Sequence, residues 1–216
     1  MIKSSNPALK SNIFRSEGSV ASADAMTVQG TVNKTALLLV FLLSTASITW
    51  SQTFNGVNPM GLMVLGGIGG FIMAIVTTFK KSSSAITAPI YAALQGLFLG
   101  GLSATFEAQY PGIVIRAVGL TFATLFCLLG AYKSGMIKVT ENFKLGIVAA
   151  TGGIMMFYFV SFILGLFGMN MGFIHGNGLF GIGFSLVVVA IAALNLVMDF
   201  DFIESGEDQR APKYME

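Results

Sequence analysis

The sequence predicts an all-α fold, a polytopic bundle of six transmembrane helices, on three observations. Its composition suits a chain dissolved in lipid: 54% of residues are hydrophobic and only 10% charged, against roughly 25% charged in an ordinary soluble domain. From residue 35 onward, apolar runs of near-bilayer length follow one another, roughly 20 residues being needed to cross about 30 Å of hydrocarbon. Basic residues alternate from one connection to the next. A soluble protein could not keep so much apolar surface from aggregating. Lipid cannot satisfy exposed backbone groups, and the alternation of barrel strands is absent, so each run must be a helix.

Residues 1–33 are polar, rich in Ser and Ala and without an apolar stripe; they predict a flexible cytoplasmic tail. No apolar stretch directly follows the early charges, which excludes a signal peptide. Asn33-Lys34-Thr35 matches the glycosylation pattern, but it abuts a span on its basic side and is a chance match. The bundle is expected over 34–204. Its spans fall near Thr35–Trp50, Met60–Phe79, Ile86–Phe106, Ile113–Tyr132, Leu145–Phe167 and Leu179–Met198. The first is the shortest and carries Ser44, Thr45, Ser47 and Thr49. Glycines at 66–70 (GGIGG) and at Gly96, Gly100 and Gly101 have the small-xxx-small spacing that brings helix axes together.

The charges give an orientation. Lys3, Lys10, Arg15 and Lys34 precede the first span, and Lys80 and Lys81 follow the second. Lys133, Lys138 and Lys144 follow the fourth, and Arg210 and Lys213 follow the sixth. Of the 12 basic residues, all but Arg116 fall on one side. By the positive-inside rule that side is the cytoplasm, and both ends of the chain are expected there.

Charge is costly in a bilayer, so the few ionisable residues near spans are the functional candidates. The sixth run ends in NLVMDFDFIESGED, with Asp199, Asp201, Glu204, Glu207 and Asp208. From Glu204 onward these read as solvated acids beyond the membrane. At about 100° per residue, Asp199 shares a face with Asn195, whereas Asp201 points to nearly the opposite side, over Val197 and Leu194. A stripe of Asn195 and Asp199 is expected to face the bundle interior. In the third run Ser103 and Glu107 share a face, with Gln95 two turns further in, and Glu107 and Arg116 flank the Tyr110-Pro111-Gly112 turn. An ion pair between them would contribute at most about 1 kcal/mol at a surface.

Several function classes are excluded. Ser185 lacks the glycine that follows an intramembrane protease nucleophile, and His175 lies ten positions away in a loop. There is no HExxH motif, no Cys/His metal set and no phosphate-binding loop. No enzyme activity, cofactor or metal is expected. Scattered basic residues exclude a nucleic-acid face. Cys127, alone in an apolar run, allows no internal disulfide and reads as a small buried hydrophobe.

The stretches APIYAALQGLFLGGLSATFE (88–107) and LNLVMDFDFIESG (194–206) resemble the Bax inhibitor family, specifically its bacterial YccA-like branch, over the membrane region from about residue 30. The resemblance implies a pH-sensitive calcium leak channel of a bacterial inner membrane, gated by carboxylate protonation. In that family an aspartate late in the sixth helix pairs with an acid in a central seventh helix. Two carboxyls held close cannot both stay charged. By resemblance Asp199 takes the place of the first aspartate, and Asp201 stands where relatives carry a neutral polar residue. Gln95 stands where an acidic residue is common. After APKYME the family continues into its seventh helix, so residues 205–216 are expected to be a cytoplasmic tail or a linker to that missing helix. The ion pathway or pH sensor is thus expected to comprise Asp199, Asn195, Glu107 and Gln95, with the bilayer and calcium or other cations as partners. The alternative is a regulator that binds a membrane-bound ATP-dependent protease through its N-terminal tail.

Overall fold

Helix α1 runs Val28–Phe54, well beyond both ends of the expected span. Its hydroxyl residues explain why it can be long and still cross lipid. Ser44, Thr45, Ser47 and Thr49 each donate to a backbone carbonyl three or four residues back, so no O–H is left unpaired. Thr27 caps its start, accepting from the Gly30 N–H. Gly56, at φ +75°, turns the chain out of it. The computed structural model describes residues 25–167 and 178–216. His175, the basic residues Lys3, Lys10 and Arg15, and most of the expected tail lie outside the described residues.

Helix α2 (Met60–Phe79) matches its expected bounds, and Asn58 accepts from its Met60 N–H. A short 3-10 turn, Lys81–Ser83, leads into α3 (Ser84–Gln109). Helix α4 (Ile113–Lys133) follows the tight turn in which Gly112 takes φ +83°. Helix α5 (Glu141–Leu166) is capped by Thr140, and α6 spans Leu179–Asp208. These six, among the described residues, are long and apolar enough to cross a membrane. Helix α6 continues ten residues past Met198, so all five of its acids lie on helix.

The chain forms two compact units. The first comprises residues up to 118 and from 203 onward. Here α3 packs extensively on both α1 and α2, and its glycines divide the two contacts. Gly96 and Gly100 face α1, where Cβ atoms would collide with Leu42, Thr45, Ala46 and Thr49. Gly101 faces Met63 of α2. From α2, Gly66 approaches the α3 backbone so closely that a Cβ would lie 2.5 Å from the Leu94 oxygen. Gly70 meets Leu94 and Gln95. Helices so close hold one another by dispersion, the attraction that remains when lipid is as apolar as the side chains. Thr77 Oγ1 donates to Thr87 Oγ1 at 2.7 Å between α2 and α3, and Thr45 Oγ1 donates to the Ala93 carbonyl at 2.8 Å between α1 and α3. The outward residues are large and apolar, Phe71, Phe79 and Ile86 among them. That is the surface lipid requires.

The first unit is closed at one end by residues 203–216. Arg210 turns the chain at φ +50°, and Ala211 and Pro212 then lie buried beside Ala25 and Met26. The Met26 N–H donates to the Ala211 carbonyl at 2.7 Å, and a 3-10 turn, Lys213–Met215, follows.

The second unit comprises residues 119–202, that is, most of α4, α5, and α6 as far as Phe202. Phe184 of α6 stacks near Phe157 and Tyr158 of α5, and Phe200 near Tyr132 of α4.

Candidate functional site

In the second unit, Asn195 Nδ2 donates to Thr151 Oγ1 of α5 at 3.0 Å and back to the Ile191 carbonyl at 2.8 Å. The side of α6 that meets α5 carries Phe184 and Asn195. Asp199, one turn on from Asn195, is rotated about 40° further round and is exposed. Phe200, another 100° on, meets α4. Asp199 thus lies between the α5-facing and α4-facing directions, and among the described residues no cation or hydrogen-bond donor is within bonding distance of it.

Asp201 has a partner that the helical wheel does not register. Its carboxylate is 2.7 Å from Lys144 Nζ of α5, while Glu141 lies 3.7 Å from the same ammonium. Helical spacing puts Asp201 about 120° round from Asn195, yet both residues meet α5. The Lys144 side chain is long enough to reach round and meet it. Among the described residues, Asp201 has a cationic partner and Asp199 has none.

In the first unit, the expected Glu107–Arg116 ion pair takes a different form. Glu107 accepts from the Gly112 N–H at 2.6 Å and the Val114 N–H at 3.0 Å, one through each carboxylate oxygen. It therefore caps the start of α4 across the turn, where free N–H groups and the helix dipole favour a negative charge. Arg116 lies over Gly112 and adds a longer-range attraction. Geometry explains the preference: two N–H groups in a tight turn are fixed donors, whereas a surface arginine must be immobilised. Gln95 is half-buried, its Oε1 directed at Gly70 of α2. Gln95 and Glu107 belong to the first unit, Asn195 and Asp199 to the second. Cys127, expected to be buried, is exposed on α4, as a side chain on a lipid-facing helix surface can be. Among the described residues no three or more His, Cys, Asp or Glu side chains converge as a metal site.

One polar cluster has no local signal in the sequence. Glu216 accepts from the Thr27 N–H at 3.0 Å and meets Lys34 Nζ at 2.8 Å. Its burial alone would raise the carboxyl's pKa, but the hydrogen bonds and charge supplied by Lys34 and Thr27 hold it below the ordinary glutamate range.

A polytopic helical membrane protein with a few isolated polar contacts is the class these features define. The family model described as "Bax inhibitor 1 like" matches residues 6–216, and the chain belongs to that family. Neither the curated proteins nor the solved structures offered a match.

Proposed function

We propose that the protein is a pathway for cation leak across the bilayer, with calcium the expected ion, and that protonation of Asp199 sets the flow. The observation that supports this reading most is the contrast between two aspartates two residues apart. Lys144 neutralises Asp201, whereas Asp199 stands without such a partner among the described residues, late in a long apolar helix. An unpaired carboxylate there can take up either a proton or a cation, and the two compete for it. A YccA-like branch, a bacterial inner membrane and cytoplasmic ends go with this reading.

The test is calcium flux into liposomes containing the purified protein, measured across pH. Asp199→Asn imitates the protonated form permanently and should give flux nearly independent of pH. Asp201→Asn should keep the pH profile of the parent. Equal behaviour of the two variants, or a profile flattened only by Asp201→Asn, would overturn the assignment.

A further inference from the structure

Helix α1 has no acidic residue in its own first turn, although a helix start favours negative charge. Two glutamates from the far end of the chain supply it. Glu207 accepts from the Val28 N–H at 3.2 Å, and Glu216 accepts from the Thr27 N–H at 3.0 Å. Lys34, two turns into α1, is 2.8 Å from the second oxygen of Glu216 and also donates to the Lys213 carbonyl at 3.1 Å. Ser84, at the start of α3, donates to the Tyr214 carbonyl. The Glu216 side chain is only 2% exposed. It is seated directly over Gly30, where a Cβ would lie 2.7 Å from Oε2 and closer still to Oε1.

We propose that residues 209–216 are a latch, closed over the start of α1 by Glu216 and held there by Lys34, which can open without unfolding either α1 or α6. Ala211 and Pro212 pack beside Ala25 and Met26, but the contacts that fasten the segment to α1 include charged and polar ones with a buried carboxylate among them. Such a contact is undone by removing one charge, since the partner left behind regains water. Gly30 is part of the device, because a Cβ there would have to displace the carboxylate from its present seat.

Trypsin reads the latch in the purified full chain, independently of any flux, because Arg210 and Lys213 lie within it. Ala211, the residue after Arg210, is fully buried, so cleavage requires opening. Intact mass should show slow loss of the closing segment in the parent. Glu216→Gln and Lys34→Met should each accelerate it by roughly tenfold, the effect of one charge-assisted hydrogen bond. The double variant should be no faster than Glu216→Gln alone. Gly30→Ala keeps every charge and improves helix propensity, yet it should open the latch by displacing Glu216. Asp208→Asn, on the exposed last turn of α6, should cleave like the parent. The proposal is overturned by parent-like rates in Glu216→Gln, Lys34→Met and Gly30→Ala. It is equally overturned by additive effects in the double variant, or by accelerated cleavage that extends to Lys144, which would mean general unfolding.

Discussion

Glu107, Asp201 and Glu216 are carboxylates each satisfied by a different kind of partner. Glu107 has two fixed N–H donors, so Glu107→Gln, which keeps an acceptor, should lower the melting temperature less than Glu107→Ala. A larger loss with Gln would show that charge, and not the hydrogen bonds, holds the turn. Asp201 has a flexible ammonium. Asp201→Asn should cost about 1 kcal/mol, shifting the melting temperature by roughly 2–4 °C. Lys144→Met combined with it should add little, because the two residues share one contact. Glu216 carries a pH dependence whose sign follows from its lowered pKa. Its stabilisation is complete above the ordinary glutamate value of about 4.3 and is lost as pH falls through the lower folded-state value. Lys34 and Glu207 are the charged groups that contact the same helix start. The difference in melting temperature between parent and Glu216→Gln should therefore be full at neutral pH and close in acid. A difference that widened in acid would reverse the sign. At this scale the sequence was partly legible. The shared face of Asn195 and Asp199 follows from helix geometry. The Lys144–Asp201 and Lys34–Glu216 contacts join distant segments through long side chains, which no periodicity records.

The helices were the most legible features, because lipid demands an unbroken apolar run with all backbone groups paired. Their ends were less so. Helix α1 extends to Val28 because Thr27 caps it and the closing segment neutralises its first turn, neither of which is an apolar signal. The glycine clusters were legible as packing motifs, but not which helix each would meet. The structure now separates them. Gly100→Leu drives a side chain into the α1 backbone at Ala46 and should cost about 3 kcal/mol, the upper range for overpacking. Gly66→Leu meets α3 backbone, whereas Gly70→Leu meets chiefly the Gln95 side chain, which can move; the first should reduce folded yield in detergent more than the second. Gly119→Leu on α4 has open space around it and should fall within about 0.5 kcal/mol of the parent. If Gly100→Leu and Gly119→Leu melt alike, helix α3 is not seated on α1 as described.

For the whole molecule, the alternation of basic residues implies that the start of α1, the α2–α3 connection, the α4–α5 connection and the end of α6 share one side of the membrane. Contacts within the first unit support three of these four independently. Lys34 of α1 bonds the Lys213 carbonyl, and Ser84, next to the Lys81–Ser83 turn, bonds the Tyr214 carbonyl. Three stretches far apart in sequence therefore meet at one end, as an even number of crossings between them requires. By the positive-inside rule that end is expected to be cytoplasmic. The expectation can be checked in intact cells by introducing single cysteines after replacing Cys127, whose exposed thiol would otherwise react. Cysteines at Ser82 and Thr140, both exposed in their connections, should react only with membrane-permeant reagents. Those at Asn55 and Gln109, exposed at the opposite helix ends, should react with impermeant ones. Labelling of Ser82 and Asn55 from the same side would mean that α2 does not cross. If all four positions labelled with the reverse preference, the six crossings would stand and the positive-inside rule would fail, placing the closing segment and Lys34 outside the cell.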